Sequence, residues 1–383
     1  MKQPLTERAP PVTVPFTIRR PAVGALGAKR RLRPVAALGR DQCSALRAMG
    51  TGRGTSVLGT ALALLLLASC SDDSPSVLRP RSEAAERVEG LWWLTFWTSV
   101  VVCLVVAGFI VQAVRRGRAA GADEGIDKRP VTWGPRFIVI AGLVVSGAVL
   151  AGTFAVSLRA LNALAGPSGD PALTIEVIGR NWWWEVRYPN GAVTANEIHI
   201  PVGRTVEVKL STADVIHSFW VPQLNVKQDQ VPGMDNRISL HADVPGRYRG
   251  QCAEFCGLQH ARMLMYVDAQ PPAEFDQWLA REGAPALAPT SPTASSGRDI
   301  FLRSSCAGCH TVRGTTATGT LGPDLTHMAS RETIGAGTLP MERGPLTGFV
   351  RDAQDAKPGA TMPPTGLSPE ELSAVVDYLM GLE

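Results

Sequence analysis

The chain has 383 residues, of which 45% are hydrophobic and 19% are charged, and its formal net charge is +4. Residues 1 to 69 contribute +9 of this charge, so the remainder of the chain carries −5. The length exceeds that of one ordinary domain, and the acidic balance gives no support to a nucleic-acid partner. An acidic exterior suits a basic protein partner better.

Residues 1 to 69 are predicted to comprise a disordered extension or misassigned start, followed by a signal peptide that is cleaved off. Residues 1 to 48 are rich in Arg, Pro and Ala without periodicity, which indicates a disordered extension or a misassigned start. Residues 49 to 69 resemble a bacterial lipoprotein signal peptide, with a basic start, a short apolar run and small residues before Cys70. On that resemblance Cys70 would carry the lipid; an ordinary signal peptide with an incidental cysteine is the alternative.

Two apolar runs predict a transmembrane hairpin over residues 85–160. The runs at 91–114 and 137–158 contain no charged residue, and each is long enough to cross a bilayer core of roughly 30 Å as a helix. Six basic and three acidic residues lie between 115 and 136. The positive-inside bias places this loop in the cytoplasm, so everything after the second span is predicted to be extracytoplasmic, at a bacterial cell membrane.

Residues 165–283 are predicted to form an antiparallel β-sandwich. Short alternating runs separated by turn signals fill 172–270, and "TVEVKL" at 205–210 places its apolar residues on one face. The stretch "PPAEFDQWLAREG" at 271–283 predicts a closing helix.

A second, smaller domain is predicted at 298–383, beyond a Pro, Ala and Ser linker at 284–297. Its start and its end both have helical character. Ser368 is expected to cap the last helix, with Glu371 three residues on. The predicted domain is all-α.

The stretch "CAEFCGLQHARM" concentrates donors for a soft metal in one strand-connecting loop. It contains Cys252, Cys256, His260 and Met263, and a thioether is a good ligand for copper and a poor one for zinc. Two thiolates can bridge two copper ions, and His217 in "DVIHSFWVP" supplies a second imidazole. A metal-free disulfide is the alternative, but it leaves the histidines and the methionine unexplained.

These motifs resemble subunit II of a haem-copper cytochrome c oxidase over residues 85–283, with a dinuclear CuA centre in a cupredoxin domain. The resemblance is carried by the two spans, by "NWWWEVRY" and by "DVIHSFWVPQLNVKQDQVPG", together with the cysteine-rich loop. It implies CuA ligands at His217, Cys252, Glu254 through its backbone carbonyl, Cys256, His260 and Met263. It also implies magnesium at the Glu254 carboxylate, facing subunit I. The tryptophan cluster departs from the family's usual Trp-Tyr-Trp, and the resemblance makes Trp182 the aromatic that passes electrons to CuA.

A rival interpretation is a membrane-anchored copper-delivery protein of the thioredoxin-like Sco type. Such proteins also combine Cys-x-x-x-Cys with a distant histidine. That reading requires an alternating α/β pattern and a single span, and the sequence predicts neither.

The motif "CAGCH" predicts covalent attachment of haem c in the second domain. Cys306 and Cys309 would bind the haem and His310 would be the proximal iron ligand. Met362, on a Pro-rich loop before the final helix, is the expected sixth ligand, an arrangement similar to class I cytochromes c. Met328 and Met341 are the alternatives, and a redox dithiol or half a zinc site is the alternative for the whole motif.

Together these features resemble subunit II of caa-type oxidases. The resemblance implies electron transfer from haem c to CuA and on to subunit I, where oxygen is reduced and protons are pumped. The implied partners are subunit I and other oxidase subunits, membrane lipid, and cytochrome c or a cytochrome bc complex as electron donor. A membrane-tethered carrier that serves another reductase, such as one acting on nitrous oxide, is the alternative function.

Overall fold

The computed structural model describes residues 75–119, 134–164 and 171–383. The predicted extension at 1–48, the signal peptide at 49–69 and the lipidation site Cys70 lie outside the described residues. So does much of the loop between the two spans.

Two long apolar helices precede the globular domains. Helix α1 is Glu83–Ala119 and helix α2 is Gly134–Leu164, with π-helical turns over Ile138–Val145. Their most apolar windows have mean hydropathies of 2.4 and 2.3 and are not buried. Phe109 of α1 meets Phe137 of α2 with ring centroids 5.6 Å apart. Each helix contains one predicted span and is long and apolar enough to cross a membrane.

The β-sandwich domain, residues 171–283, contains ten strands in two five-stranded sheets. In chain order the strands are Leu173–Arg180 (β1), Trp183–Arg187 (β2), Val193–Ala195 (β3), Glu197–Pro201 (β4), Val206–Thr212 (β5), His217–Trp220 (β6), Gln228–Gln230 (β7), Asn236–Leu240 (β8), Gly246–Cys252 (β9) and Leu264–Gln270 (β10). One sheet has the order β3-β2-β1-β5-β8 and the other β4-β10-β9-β6-β7. The predicted sandwich is confirmed.

Alternating burial along the strands builds one core between the two sheets. Along β5, Val206, Val208 and Leu210 are fully buried while the residues between them are partly exposed. Two strand pairs, β1 with β5 and β4 with β10, are parallel rather than antiparallel. Alternation of apolar and polar residues predicts which face of a strand is buried, but it does not predict the direction of the neighbouring strand. These parallel pairs therefore could not be predicted from the sequence.

The predicted closing helix is confirmed as α3, Pro272–Gly283. Phe275 and Trp278 are buried on its sandwich-facing side, and Leu279 packs beside them. The helix seals one edge of the core.

The connection to the second domain is shorter than the predicted linker. A helix, α4, spans Pro292–Arg303 and so begins inside the segment 284–297. Ser291 caps it by accepting a hydrogen bond from the backbone N–H of Ala294 at 3.1 Å, and proline is favoured in a first helical turn. Only residues 284–291 remain as connection.

The C-terminal domain, residues 292–383, contains helices joined by irregular segments, with one two-residue strand pair and an isolated bridge between Thr311 and Thr318. Its other described elements are Cys306–Cys309 (α5), Thr333–Ile334 (β11), Leu339–Pro340 (β12), Arg343–Arg351 (α6), Ala353–Ala356 (α7) and Pro369–Leu379 (α8). Ser368 and Glu371 form the expected capping box on α8. Phe301 of α4 packs edge-to-face on Tyr378 of α8, with ring centroids 5.7 Å apart.

The C-terminal domain rests directly on the β-sandwich domain. Arg313 donates hydrogen bonds to the backbone carbonyls of Gly191 at 3.2 Å and Gly283 at 3.3 Å. The backbone N–H of Leu264 donates to the carbonyl of Ala336 at 3.2 Å. Because these bonds use backbone groups of both domains, they fix one relative orientation.

Candidate metal centres

The cysteine-rich loop joins two neighbouring strands of the second sheet. Cys252 is the last residue of β9, and β10 begins at Leu264, directly after Met263. His217 is the first residue of β6, and β6 pairs with β9 through Phe219 and Cys252. The sheet therefore brings the upstream histidine to the loop.

The side chains that the sequence singled out for copper converge in one cluster. The sulfurs of Cys252 and Cys256 are 3.9 Å apart. His217 Nδ1 lies 3.9 Å from Cys252 Sγ, and His260 Nδ1 lies 3.7 Å from Cys256 Sγ. Met263 Sδ lies 3.8 Å from Cys256 Sγ. Donors that share one metal at roughly 2.0–2.3 Å stand about 3 to 4 Å apart, so this set fits metal binding.

The backbone of Glu254 adds an oxygen donor to the cluster. Its carbonyl oxygen lies 3.2 Å from Cys252 Sγ. The separation of Cys252 and Cys256 is well beyond the disulfide bond length of about 2.05 Å, so the two thiols are free. Thiolates, imidazoles, a thioether and a carbonyl form a donor set suited to copper.

Asp214 orients His217 and was missed by the sequence interpretation. Its carboxylate lies 2.7 Å from His217 Nε2, which leaves Nδ1 directed at the cysteines. Burial opposes protonation of His217, but the hydrogen bonds and charges of Asp214 and Cys252 together outweigh it and raise the histidine pKa. An acidic residue three positions before a candidate ligand was the available signal, since metal-bound histidines commonly donate to a carboxylate.

A glycine makes room for the same imidazole. A Cβ at Gly179 would lie 2.7 Å from His217 Cδ2 and 2.8 Å from the side-chain oxygen of Gln230. Trp184, which is fully buried and pairs with Gly179 across the sheet, meets the His217 ring edge-on with centroids 6.0 Å apart. The histidine is therefore held before any metal binds.

A hydrogen bond between the two thiols shifts their pKa values in opposite directions. The hydrogen bond between them, aided by His217, lowers the pKa of Cys252, and the same bond together with burial raises the pKa of Cys256. One thiolate is thus available at neutral pH, and metal binding must displace the second proton.

A cavity of about 560 Å³ lies where the C-terminal domain meets the β-sandwich domain, beside the Cys-x-x-Cys-His motif. Its walls come from both domains: Cys306, Cys309, His310, Met328, Ile334 and Met362 on one side and Arg180, Trp182 and Trp183 on the other. The size and the apolar walls suit a large planar cofactor.

His310 is oriented as an iron ligand would be. Its Nδ1 donates to the carbonyl of Pro323 at 2.8 Å, so Nε2 is left free. A Cβ at Gly322 would lie 2.4 Å from the imidazole, so only glycine permits this packing. Burial lowers the pKa of His310, which favours the neutral ring that binds metals.

Met362 lies on a loop that one side chain holds in place. Gln354 donates to the carbonyls of Ala360 at 2.6 Å and Met362 at 3.0 Å, and accepts from the N–H of Gly359 at 2.8 Å. Of the alternative ligands, Met328 also lines the cavity and is buried, whereas Met341 packs against the domain's hydrophobic core. Met362 and Met328 therefore both have access to the cavity.

Trp182 stands between the cavity and the cysteine cluster. It lines the cavity, and its indole N–H donates to the carbonyl of Cys256 at 2.9 Å. Lys357, which is buried, donates from Nζ to the carbonyl of Trp182 at 3.1 Å. Burial and nearby Arg262 lower the lysine pKa to about 8. Trp182 thus contacts both sites.

The copper loop also touches the segment that leads to Met362. Arg262 donates to the carbonyl of Ala356 at 2.5 Å, and Gln259 donates to the carbonyl of Pro358. The two candidate sites are therefore connected by these contacts as well as by Trp182.

This arrangement defines a class of protein. A β-sandwich with a thiolate and imidazole cluster, a haem-type cavity and two membrane-length helices make a membrane-anchored electron-transfer protein with two redox centres. The alternative Sco-type interpretation is wrong, because that fold is an alternating α/β domain with a single span.

Comparisons with known proteins agree with this class. Residues 192–270 match the family described as "Cytochrome C oxidase subunit II, periplasmic domain", and residues 294–383 match "Cytochrome c". The chain is 34% identical over 331 residues to cytochrome c oxidase subunit 2 of Alkalihalophilus pseudofirmus, covering 84% of this chain and 95% of the relative. It is 31% identical over 342 residues to the subunit 2 of Bacillus sp. PS3, covering 83% and 94%.

A solved structure gives a weaker likeness. The periplasmic domain of subunit II of cytochrome oxidase from Bradyrhizobium japonicum is 30% identical, with a TM-score of 0.29, covering 30% of this chain and 95% of that one.

The chain belongs to the cytochrome c oxidase subunit II family. It is a membrane-anchored electron-transfer subunit of a terminal oxidase, with a CuA-type copper domain fused to a cytochrome c domain. The alternative of a carrier for another reductase is set aside by these relatives.

Proposed function

We propose that the cysteine cluster is the CuA site of this subunit. The ligands are His217, Cys252, the carbonyl of Glu254, Cys256, His260 and Met263. The spacing of 3.2 to 3.9 Å among their donor atoms supports the assignment. The two thiolates would allow the site to hold two copper ions, and such a centre would supply one-electron chemistry, with its ligands already placed by the protein.

We propose further that Cys306 and Cys309 attach haem c and that His310 and Met362 are its axial ligands. The free Nε2 of His310 and the bond from Gln354 to the Met362 carbonyl support this set. Haem supplies one-electron chemistry, and a methionine ligand raises its potential relative to a second histidine. The protein's contribution is to hold both ligands at the cavity wall.

Trp182 is the proposed route between the two centres. The observation that carries this proposal is the position of its indole, which lines the cavity and donates to the carbonyl of Cys256. The proposed copper ligand Cys256 is thereby hydrogen-bonded, through its backbone carbonyl, to the Trp182 ring at the haem cavity. Lys357 fixes the backbone of Trp182 from the haem side.

The setting proposed for this transfer is the outer face of a bacterial cell membrane. The basic loop between α1 and α2 supports a cytoplasmic position for that loop and an extracytoplasmic position for both redox domains. The donor is cytochrome c or a cytochrome bc complex, and the acceptor is subunit I, where oxygen reduction is coupled to proton pumping. Magnesium at the Glu254 carboxylate, facing subunit I, lipidation at Cys70 and contact with membrane lipid complete the proposal.

The proposal is tested by Trp182→Phe in the full oxidase complex. We expect unchanged copper and haem spectra and slower haem-to-CuA transfer in flash photolysis, since the indole N–H bond to the Cys256 carbonyl is lost. Trp183→Phe is the matched control, because Trp183 also lines the cavity but lies beneath Arg180, 5.6 Å from the guanidinium carbon. Equal rates in the two variants would show that electrons take another route.

A further inference from the structure

Glu197 joins the β-sandwich domain to the C-terminal domain through a buried carboxylate. It is the first residue of β4 and is only 2% exposed. Its Oε1 accepts from Thr333 N at 3.0 Å, Thr333 Oγ1 at 3.0 Å, Glu332 N at 3.1 Å and Arg247 Nη2 at 2.9 Å. Three of these four donors belong to the other domain.

The charge of Glu197 explains why the contact is specific. A buried carboxylate is costly unless hydrogen bonds and a counter-charge compensate for lost hydration. Arg247 supplies the charge from within the β-sandwich domain and also pairs with Asp268 at 3.0 Å. Glu332 and Thr333 supply the remaining donors only while the C-terminal domain is docked.

The segment held by Glu197 is part of the wall of the haem cavity. Thr333 itself lines that cavity, together with the three residues that follow it, through Ala336. The carbonyl of Ala336 accepts from the N–H of Leu264, the residue after the proposed copper ligand Met263. Residues 332–336 therefore run from the carboxylate to the end of the copper loop.

Glu197, His199 and Asp268 also form a group whose donor atoms lie within 4.8 Å of one another. Arg247 bonds to both carboxylates and already supplies the cation. The His199 ring is stacked on Trp278 with centroids 4.0 Å apart. The group is consequently an ion-pair network that supports the interdomain contact.

We propose that Glu197 is a positioning residue that fixes the cytochrome c domain on the CuA domain in the orientation used for electron transfer. The domain then works as a fixed part of the subunit rather than as a mobile carrier on a tether. This inference rests on the proposed function in one respect: the orientation serves electron transfer only if the two sites are the haem c and CuA centres. The docking itself is measured without electron transfer.

Hydrogen exchange in the full complex tests the proposal with Glu197→Gln. The amide is similar in size to the carboxylate but lacks its charge. Hydrogen bonds to a charged group stabilise a contact more than neutral ones do. We therefore expect hydrogen exchange in peptides covering 332–336 to become about tenfold faster. Strands β1 and β5 and both absorption spectra should not change. Glu207→Gln is the matched control, because Glu207 pairs with Arg237 within the β-sandwich domain at 2.9 Å.

A second variant keeps the test decisive if Glu197→Gln fails to fold. Thr333→Val removes one donor from the opposite side of the contact without touching a buried charge, and it should raise exchange in the same peptides by a smaller factor. Unchanged exchange at 332–336 in the variants that fold would overturn the proposal. If exchange rises as expected but the unmodified complex transfers no electrons from haem to CuA internally, the positioning role stands and the proposed function fails.

Discussion

The copper cluster and the haem cavity are built in opposite ways. Five of the six proposed copper ligands lie within one loop of the sandwich, and the sixth is on the neighbouring strand. The cavity takes its walls from separate segments of the C-terminal domain and from Trp182 and Trp183 of the other domain. A site on one loop is specified locally, whereas the cavity depends on how two domains dock.

This contrast predicts different responses to substitution. Changes to the copper-ligating side chains should affect copper alone, because β9 and β10 hold both ends of the loop. Changes at the cavity should affect both the haem and its relation to CuA. The substitutions below test that separation, beginning with the largest expected effect.

Cys252→Ser should abolish the CuA centre and leave haem attachment intact. A hydroxyl is a poor bridging ligand for copper compared with a thiolate. Metal analysis of the full complex should show the copper belonging to this subunit lost and the haem c content unchanged. Cys103→Ser, in an exposed position on α1, is the control. A single copper with a blue-copper spectrum in the unmodified protein would contradict the dinuclear assignment.

Met362→His should keep a covalent low-spin haem but lower its reduction potential. Imidazole is a stronger donor to ferric iron than thioether, and we expect a shift on the order of 0.1 V, as axial ligands tune haem potentials widely. Redox titration measures the shift. An unchanged potential, with a shift in Met328→His instead, would transfer the ligand role to Met328.

Gly179→Ala should weaken copper binding without altering the haem. The added Cβ would lie 2.7 Å from the His217 ring, and forcing a methyl into a packed site costs about 1 to 3 kcal/mol. Copper titration and thermal unfolding measure the effect. Gly344→Ala, where nothing lies within 4 Å of the added Cβ, is the control. Copper affinity equal to that of the unmodified protein would show that the ring position is not critical.

Asp268→Asn should reduce the pH dependence of stability. Burial raises the pKa of Asp268 to about 7 even though Arg247 opposes the shift, and Glu197, Glu332 and His199 also face this group. A raised carboxyl pKa contributes stability that is fully present below the ordinary carboxyl pKa of about 4 and is lost as pH rises to about 7, so the unmodified protein should become less stable between those two pH values.

The asparagine variant cannot titrate and should therefore gain about 1 to 2 kcal/mol relative to the unmodified protein above pH 7. Thermal unfolding below and above that pH measures the difference, with exposed Asp276→Asn as control. Parallel pH profiles for the Asp268 variant and the unmodified protein would show that Asp268 is not protonated in the folded state.

Most of the copper site could be predicted from the sequence, because most of its proposed ligands lie close together along the chain. The spacing of Cys252, Cys256, His260 and Met263 shows their proximity without knowledge of the fold. The roles of Asp214 and Gly179 depend on where the His217 ring points, which the sequence pattern does not specify. The helix start at Pro292 was readable from Ser291 and the following proline, but composition favoured a linker there.

Docking of the two domains could not be read from the sequence. The contacts that fix it pair Glu197 with residues 332 and 333, and Trp182 with Lys357. These partners are more than a hundred residues apart and carry no motif. The sequence therefore predicted only a linker between the two domains, whereas the structure shows an ordered interface between them.

The most direct test of the account is the concentration dependence of haem-to-CuA electron transfer. After flash reduction of haem c in the intact complex, transfer should be first-order, with a rate constant that stays the same on dilution and without added cytochrome. A fixed intramolecular interface requires this result, because no encounter between separate molecules is needed. A rate that falls in proportion to dilution, or that requires added cytochrome, would contradict transfer within this chain.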